Sequence, residues 1–79
     1  MEIRYSESAR RALRSSDKRQ MIRSKIEQLA ADPSSLVANV KKLQGRPELR
    51  LRVQNWRVIY RIEDDVLYVD EIGSRGSIY

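Results

Sequence analysis

Leu49-Arg50-Leu51-Arg52-Val53-Gln54-Asn55-Trp56-Arg57-Val58-Ile59-Tyr60-Arg61-Ile62 alternates apolar and basic side chains on both sides of a polar pair. A period of two over this length predicts strands with one buried face. With Gln54-Asn55 as a two-residue turn, Val53 lies opposite Trp56, Arg52 opposite Arg57 and Leu51 opposite Val58. Facing residues share a side of a sheet. Leu49, Leu51, Val53, Trp56, Val58 and Tyr60 therefore form an apolar face, and Arg50, Arg52, Arg57 and Arg61 share the other with Ile59. Like charges placed directly opposite oppose folding by roughly 0.2–1 kcal/mol per pair. A clustered set of guanidiniums that works against the fold asks for an anion, and a polyphosphate backbone is the natural one. A plainer account also fits: solvent-facing strand positions are often charged, and basic side chains discourage edge-to-edge pairing. Asp70 or Glu71 could then neutralise Arg57 or Arg61, depending on the length of the second turn.

Outward from this hairpin the chain reads as a single domain over residues 1–79. Glu2 to Tyr5 alternates polar and apolar, the mark of a short strand. Ser6 is a good N-cap, and Glu7 follows where a helix start favours negative charge. The first predicted helix runs through Ala9, Ala12 and Leu13 to about Arg14. Ser15-Ser16-Asp17 breaks it and caps a second helix, with Gln20 three residues beyond Asp17 in a near capping box; the apolar stripe of this helix is Ile22, Ile26, Leu29 and Ala30. It ends before Asp32-Pro33, because the residue preceding a proline avoids the α region. Pro33 to Gln44 admits a short helical turn carried by Val37, Val40 and Leu43, or a packed loop; Gly45-Arg46-Pro47 is a break. Glu63-Asp64-Asp65 turns the chain into a third strand, Val66 to Ile72, which Gly73 to Gly76 ends. The predicted architecture is α+β, in the order β-α-α-β-β-β, with a two-helix hairpin packed on one face of an antiparallel sheet.

Seventy-nine residues leave room for a thin core; a domain of this size buries only about 60% of its unfolded surface. With neither Cys nor Phe, that core must come from Ile, Leu, Val, Trp56 and the four tyrosines. The formal charge of +5 comes mostly from arginine, with twelve Arg to four Lys. Arginine's planar donor fork matches phosphate oxygens and stacks on bases. Met1 to Tyr5 lacks the basic head and apolar run of a signal peptide, and no apolar stretch is long enough to span a membrane. The expectation is a cytoplasmic protein. The absence of His and Cys gives no reason to expect a metal or small-molecule cofactor.

Lys42-Leu43-Gln44-Gly45-Arg46-Pro47-Glu48-Leu49-Arg50-Leu51-Arg52-Val53, followed by Trp56-Arg57-Val58-Ile59-Tyr60, resembles the RelE/ParE toxin superfamily in its Leu-x-Gly break, basic-apolar-basic strand and aromatic-Arg-apolar-apolar-Tyr. Gly73-Ser74-Arg75-Gly76-Ser77-Ile78-Tyr79 resembles the family's closing Gly-x-Arg-x-x-x-Tyr. RelE-type members are ribosome-dependent mRNA endonucleases. The resemblance implies a toxin of a type II toxin–antitoxin system that works without a metal. A 2′-hydroxyl attacks the adjacent phosphate, leaving a 2′,3′-cyclic phosphate and a 5′-hydroxyl. It also implies three partners: a cognate antitoxin, the ribosome and mRNA.

Carried over by position, the resemblance makes Arg50 and Arg52 the two basic residues of the family's strand and Arg57 the phosphate-holding arginine. Arg75 becomes the residue assisting the leaving group, and Tyr79 the one that stacks on or orients a base. Arg61, Lys41 and Lys42 are expected to add RNA binding. The RelE prototype carries lysines where this chain has Arg50 and Arg52. Arginine stays protonated, so these two become clamps on the transition state. The base is left open among Glu48, Lys41, Lys42, Tyr79 and a ribosomal RNA group. Ser74 stands where the family often has His. Two other functions share the fold: a ParE-like inhibitor of DNA gyrase, and a catalytically decayed, RNA-binding toxin homologue.

Overall fold

A computed structural model describes residues 1–74. The elements are β1 (Glu2–Tyr5), α1 (Glu7–Ser15), α2 (Arg19–Ala31), a 3-10 segment (Pro33–Asn39), β2 (Val40–Lys42), β3 (Leu49–Val53), β4 (Trp56–Glu63) and β5 (Val66–Ser74). They form one five-stranded sheet in the order β1-β5-β4-β3-β2. The α+β architecture and the order of the six expected elements are as predicted, with two additions. Val40–Lys42 is a short edge strand antiparallel to β3, and β1 pairs with β5 in parallel, which makes the sheet mixed. Because β1 and β2 are the two edges, the helical hairpin crosses the whole width of the sheet between them, with α1 over β5 and α2 over β3.

The helices cover one face because their apolar stripes face it. Ala9 and Leu13 of α1, and Ile22, Ile26, Leu29 and Ala30 of α2, are buried against Leu51, Val53, Val58, Tyr60, Leu67, Val69 and Ile72. Ser6 caps α1 as expected: its Oγ accepts from the Ala9 amide at 3.0 Å and also donates to the Asp70 carbonyl at 2.7 Å. One side chain thus closes the helix start and ties it to β5. Ser6→Ala is expected to cost about 1–2 kcal/mol, read as a drop in thermal midpoint. Asp17 does not cap α2. The N-cap is Lys18, and the buried Ser16 accepts from the Lys18 amide at 3.0 Å instead. Ser16 closes the tight link between the helices, leaving Asp17 exposed.

Asp32 caps the 3-10 segment through the Ser34 amide, and Pro33 opens it. Its inward residue is Leu36, whereas Val37, one of the three expected anchors, is exposed. The segment brings the chain to the sheet edge, where Val40 pairs with Leu51 and Lys41 with Arg50.

The β3–β4 register is the predicted one: Val53 opposite Trp56, Arg52 opposite Arg57, Leu51 opposite Val58. Gln54 takes a positive φ of 53° at the turn. The β4–β5 turn has two central residues, Asp64 and Asp65, both left-handed at φ 51° and 63°. This primed geometry suits strand twist and tolerates Asp. Further along, Ile59 faces Glu71 but Tyr60 faces Val69, so Asp70 is an inserted residue. The reason lies in the spacing Leu67, Val69, Ile72. A strict alternation from Leu67 and Val69 would turn Glu71 inward and Ile72 outward, and the bulge at Asp70 lets all three apolar residues reach the core while both acids point away.

Candidate functional site

The face of the sheet opposite the helices has two unlike halves. On the first, a hollow of about 140 Å³ is lined by Ala38, Asn39, Lys41, Arg50, Arg52 and Arg57. Four of these six are cationic and none is acidic. Each reaches the hollow for a structural reason. Arg50 and Arg52 are outward positions of β3, Arg57 sits directly across from Arg52 on β4, and Lys41 directly across from Arg50 on β2. Asn39 closes one side at the end of the 3-10 segment. Arg57 is held in place by its own turn: Nη1 donates to the carbonyls of Gln54 and Trp56, each at 3.1 Å. A guanidinium fixed by two backbone acceptors keeps its remaining donors preorganised for an anion.

The row across the strands reads Lys41, Arg50, Ile59, Glu71. Ile59 is fully buried although it lies on the charged side. Long side chains cover apolar surface with their stems while their heads stay in water, so the cationic half has an apolar floor.

On the second half, cations and carboxylates neutralise one another. Arg46 reaches Glu48 at 3.1 Å and Glu71 at 2.9 Å, and Arg61 reaches Glu63 at 2.6 Å and Asp70 at 3.1 Å. The Arg61 guanidinium also lies 4.2 Å from the centre of the Tyr68 ring. Arg46 holds the Glu48 carboxyl below the usual carboxylate range. Burial raises Asp70, against the pull of Arg61. A lowered folded-state value gives stability that is present above the ordinary carboxylate range and is lost as pH falls through the lowered one. Glu48→Gln is therefore expected to lower the thermal midpoint at neutral pH, with the difference closing in acid. Melting curves across that range check the sign.

The expected site residues divide accordingly. Arg50, Arg52, Arg57 and Lys41 meet around one hollow. Arg61 does not join them, because the bulge sets Asp70 beside it. Lys42 pairs with Leu49 and so points to the other face. Arg75 and Tyr79 lie outside the described residues. Sequence reasoning did not single out Asn39 as part of the site; only the 3-10 segment, which was not resolved from the pattern, carries it there. Among the described residues, no group of His, Cys, Asp or Glu is arranged to hold a metal. No helix among them is long and apolar enough to cross a membrane.

A small mixed sheet crossed by a helical hairpin defines a class of known structures. The toxin–antitoxin complex RelB–RelE of Methanococcus jannaschii matches with TM-score 0.77 and 22% identity, over 96% of this chain and 94% of that one. YafQ from E. coli strain BL21(DE3) matches with TM-score 0.81 and 18% identity, over 99% and 97%. The intact E. coli RelBE complex matches with TM-score 0.70 and 26% identity, over 92% and 94%. No curated protein sequence matches. The family model of the ParE toxin of type II toxin–antitoxin systems matches residues 3–79. The chain therefore belongs to the ParE toxin family, within the RelE/ParE superfamily.

Proposed function

We propose that this toxin is an endoribonuclease that cuts mRNA on the ribosome. The observation that carries the reading is the hollow in which Lys41, Arg50, Arg52 and Arg57 converge with no carboxylate among the lining residues. Attack of a 2′-hydroxyl on the neighbouring phosphorus builds negative charge on the phosphoryl oxygens, and fixed guanidiniums stabilise charge that develops there. Arg57, anchored by its turn, holds the phosphate, and Arg50 and Arg52 clamp it. Arg75 and Tyr79, in the roles the resemblance gives them, assist the leaving 5′-oxygen and orient a base.

The protein works in the cytoplasm beside an antitoxin. Two of the structural neighbours described above are toxin–antitoxin complexes. A basic domain with a formal charge of +5 suits an acidic, amphipathic partner segment that orders on binding.

One observation favours a second reading, inhibition of DNA gyrase: the matching family model is that of ParE toxins. Primer extension on mRNA from cells expressing the toxin, run beside a supercoiling assay with purified gyrase, separates the two. New mRNA ends with normal supercoiling support the nuclease; intact mRNA with blocked supercoiling supports the gyrase inhibitor.

A further inference from the structure

We infer that Lys41 is the proton acceptor of the cleavage step, an assignment that rests on reading the hollow as a nuclease site. The hollow's four cationic side chains are three arginines and Lys41. A guanidinium keeps its proton at any pH at which the protein works, so Arg50, Arg52 and Arg57 stabilise charge without accepting a proton. Ala38 and Asn39 complete the lining and offer no base. Lys41 is therefore the one side chain in this lining with the chemistry of a general base.

Among the described residues, the other candidates are committed elsewhere. Glu48 is held by Arg46, Glu71 by Arg46, and Asp70 and Glu63 by Arg61, and none of the four lines the hollow. Lys42 lies on the opposite face. Lys41, by contrast, forms no ion pair among the described residues. It stands across from Arg50 at the sheet edge, with Arg52 and Arg57 the other charged groups facing the hollow. That places an amine beside the guanidiniums proposed to hold the phosphate.

In the step, the lone pair of Nζ takes the proton of the 2′-hydroxyl as the 2′-oxygen bonds to phosphorus. The bond from phosphorus to the 5′-oxygen breaks with its electron pair on that oxygen, which takes a proton from water. The products are a 2′,3′-cyclic phosphate, a 5′-hydroxyl end and an ammonium, which returns its proton to solvent.

The test is single-turnover cleavage of an mRNA on programmed ribosomes, with Lys41→Arg, Lys41→Ala and, as control, Lys25→Ala. Lys41→Arg keeps the charge and removes the acceptor. It is expected to slow cleavage by roughly 100-fold or more while ribosome affinity changes by less than about threefold. Lys41→Ala is expected to be equally slow and to recover in proportion to added methylamine free base, while Lys25→Ala, on α2 and away from the hollow, cleaves at the wild-type rate. Lys41→Arg cleaving within about threefold of wild type overturns the assignment, and so does a Lys41→Ala that ignores methylamine. A wild-type protein that leaves the mRNA intact overturns the nuclease reading itself, and the assignment with it.

Discussion

Arg57→Ala is expected to lower the rate of mRNA cleavage by roughly 100- to 1000-fold and to relieve growth arrest in cells that express it. The size follows from where Arg57 sits. Two backbone carbonyls of the β3–β4 turn fix one end of its guanidinium, and the side chain lines the hollow shared with Arg50, Arg52 and Lys41. A donor held before the reaction begins costs no reorganisation when charge develops, so its loss falls on the chemical step. Folding should change little, because removing Arg57 also removes its repulsion with Arg52 directly opposite. Arg57→Lys is expected to recover only part of the rate, since an ammonium satisfies one backbone carbonyl or the phosphate but lacks the fork that reaches both. Single-turnover cleavage beside a melting curve checks the claim. An Arg57→Ala protein that cleaves normally would remove Arg57 from the mechanism.

The largest effect on stability is expected from Ile26→Ala. Ile26 is fully buried, where α2 presses on the sheet. Truncating such a side chain costs about 2–5 kcal/mol. Domains have about 0.05–0.15 kcal/mol of stability per residue, so a chain this short loses a large part of its reserve. A loss of 1 kcal/mol lowers the melting midpoint of a 60–100-residue domain by about 4–8 °C, so a fall of roughly 10 °C or more is expected. Activity should fall with the folded fraction and not per folded molecule, because the helices support the strands that carry the arginines without touching the hollow. Circular dichroism melting with activity titrated against folded protein separates the two effects. A shift of only a few degrees would mean that the hairpin contributes little to the core.

What could be read from the sequence, and what could not, follows the range of the forces involved. The β3–β4 hairpin was legible because a period of two and a polar pair fix which residues face which, and the observed partners of Leu51, Arg52 and Val53 are the expected ones. The convergence of Arg50, Arg52 and Arg57 follows from that register. The short strand Val40–Lys42 was not legible, since three residues carry too little pattern to separate a strand from a loop. Its pairing with β3 is what brings Lys41 to the hollow. The parallel pairing of β1 with β5 joins chain segments more than sixty residues apart and leaves no local trace. Arg61 illustrates the opposite lesson. Its strand alternation matches that of Arg57, but a bulge at Asp70 gives it a carboxylate partner and withdraws it from the basic half. That bulge was latent in Val69-Asp70-Glu71-Ile72, where two adjacent acids interrupt an alternating apolar pattern.

The salt dependence of binding to a single-stranded RNA oligomer, followed by fluorescence anisotropy, tests the phosphate-binding role of the hollow most directly. Each phosphate contact contributes about −0.7 to the slope of log affinity against log salt for single strands. Arg50→Ala, Arg52→Ala and Arg57→Ala are each expected to flatten the wild-type slope by about that amount, and Arg61→Ala to leave it unchanged. Equal slopes for the wild type and all three hollow variants would contradict a shared polyanion bed on this side of the sheet.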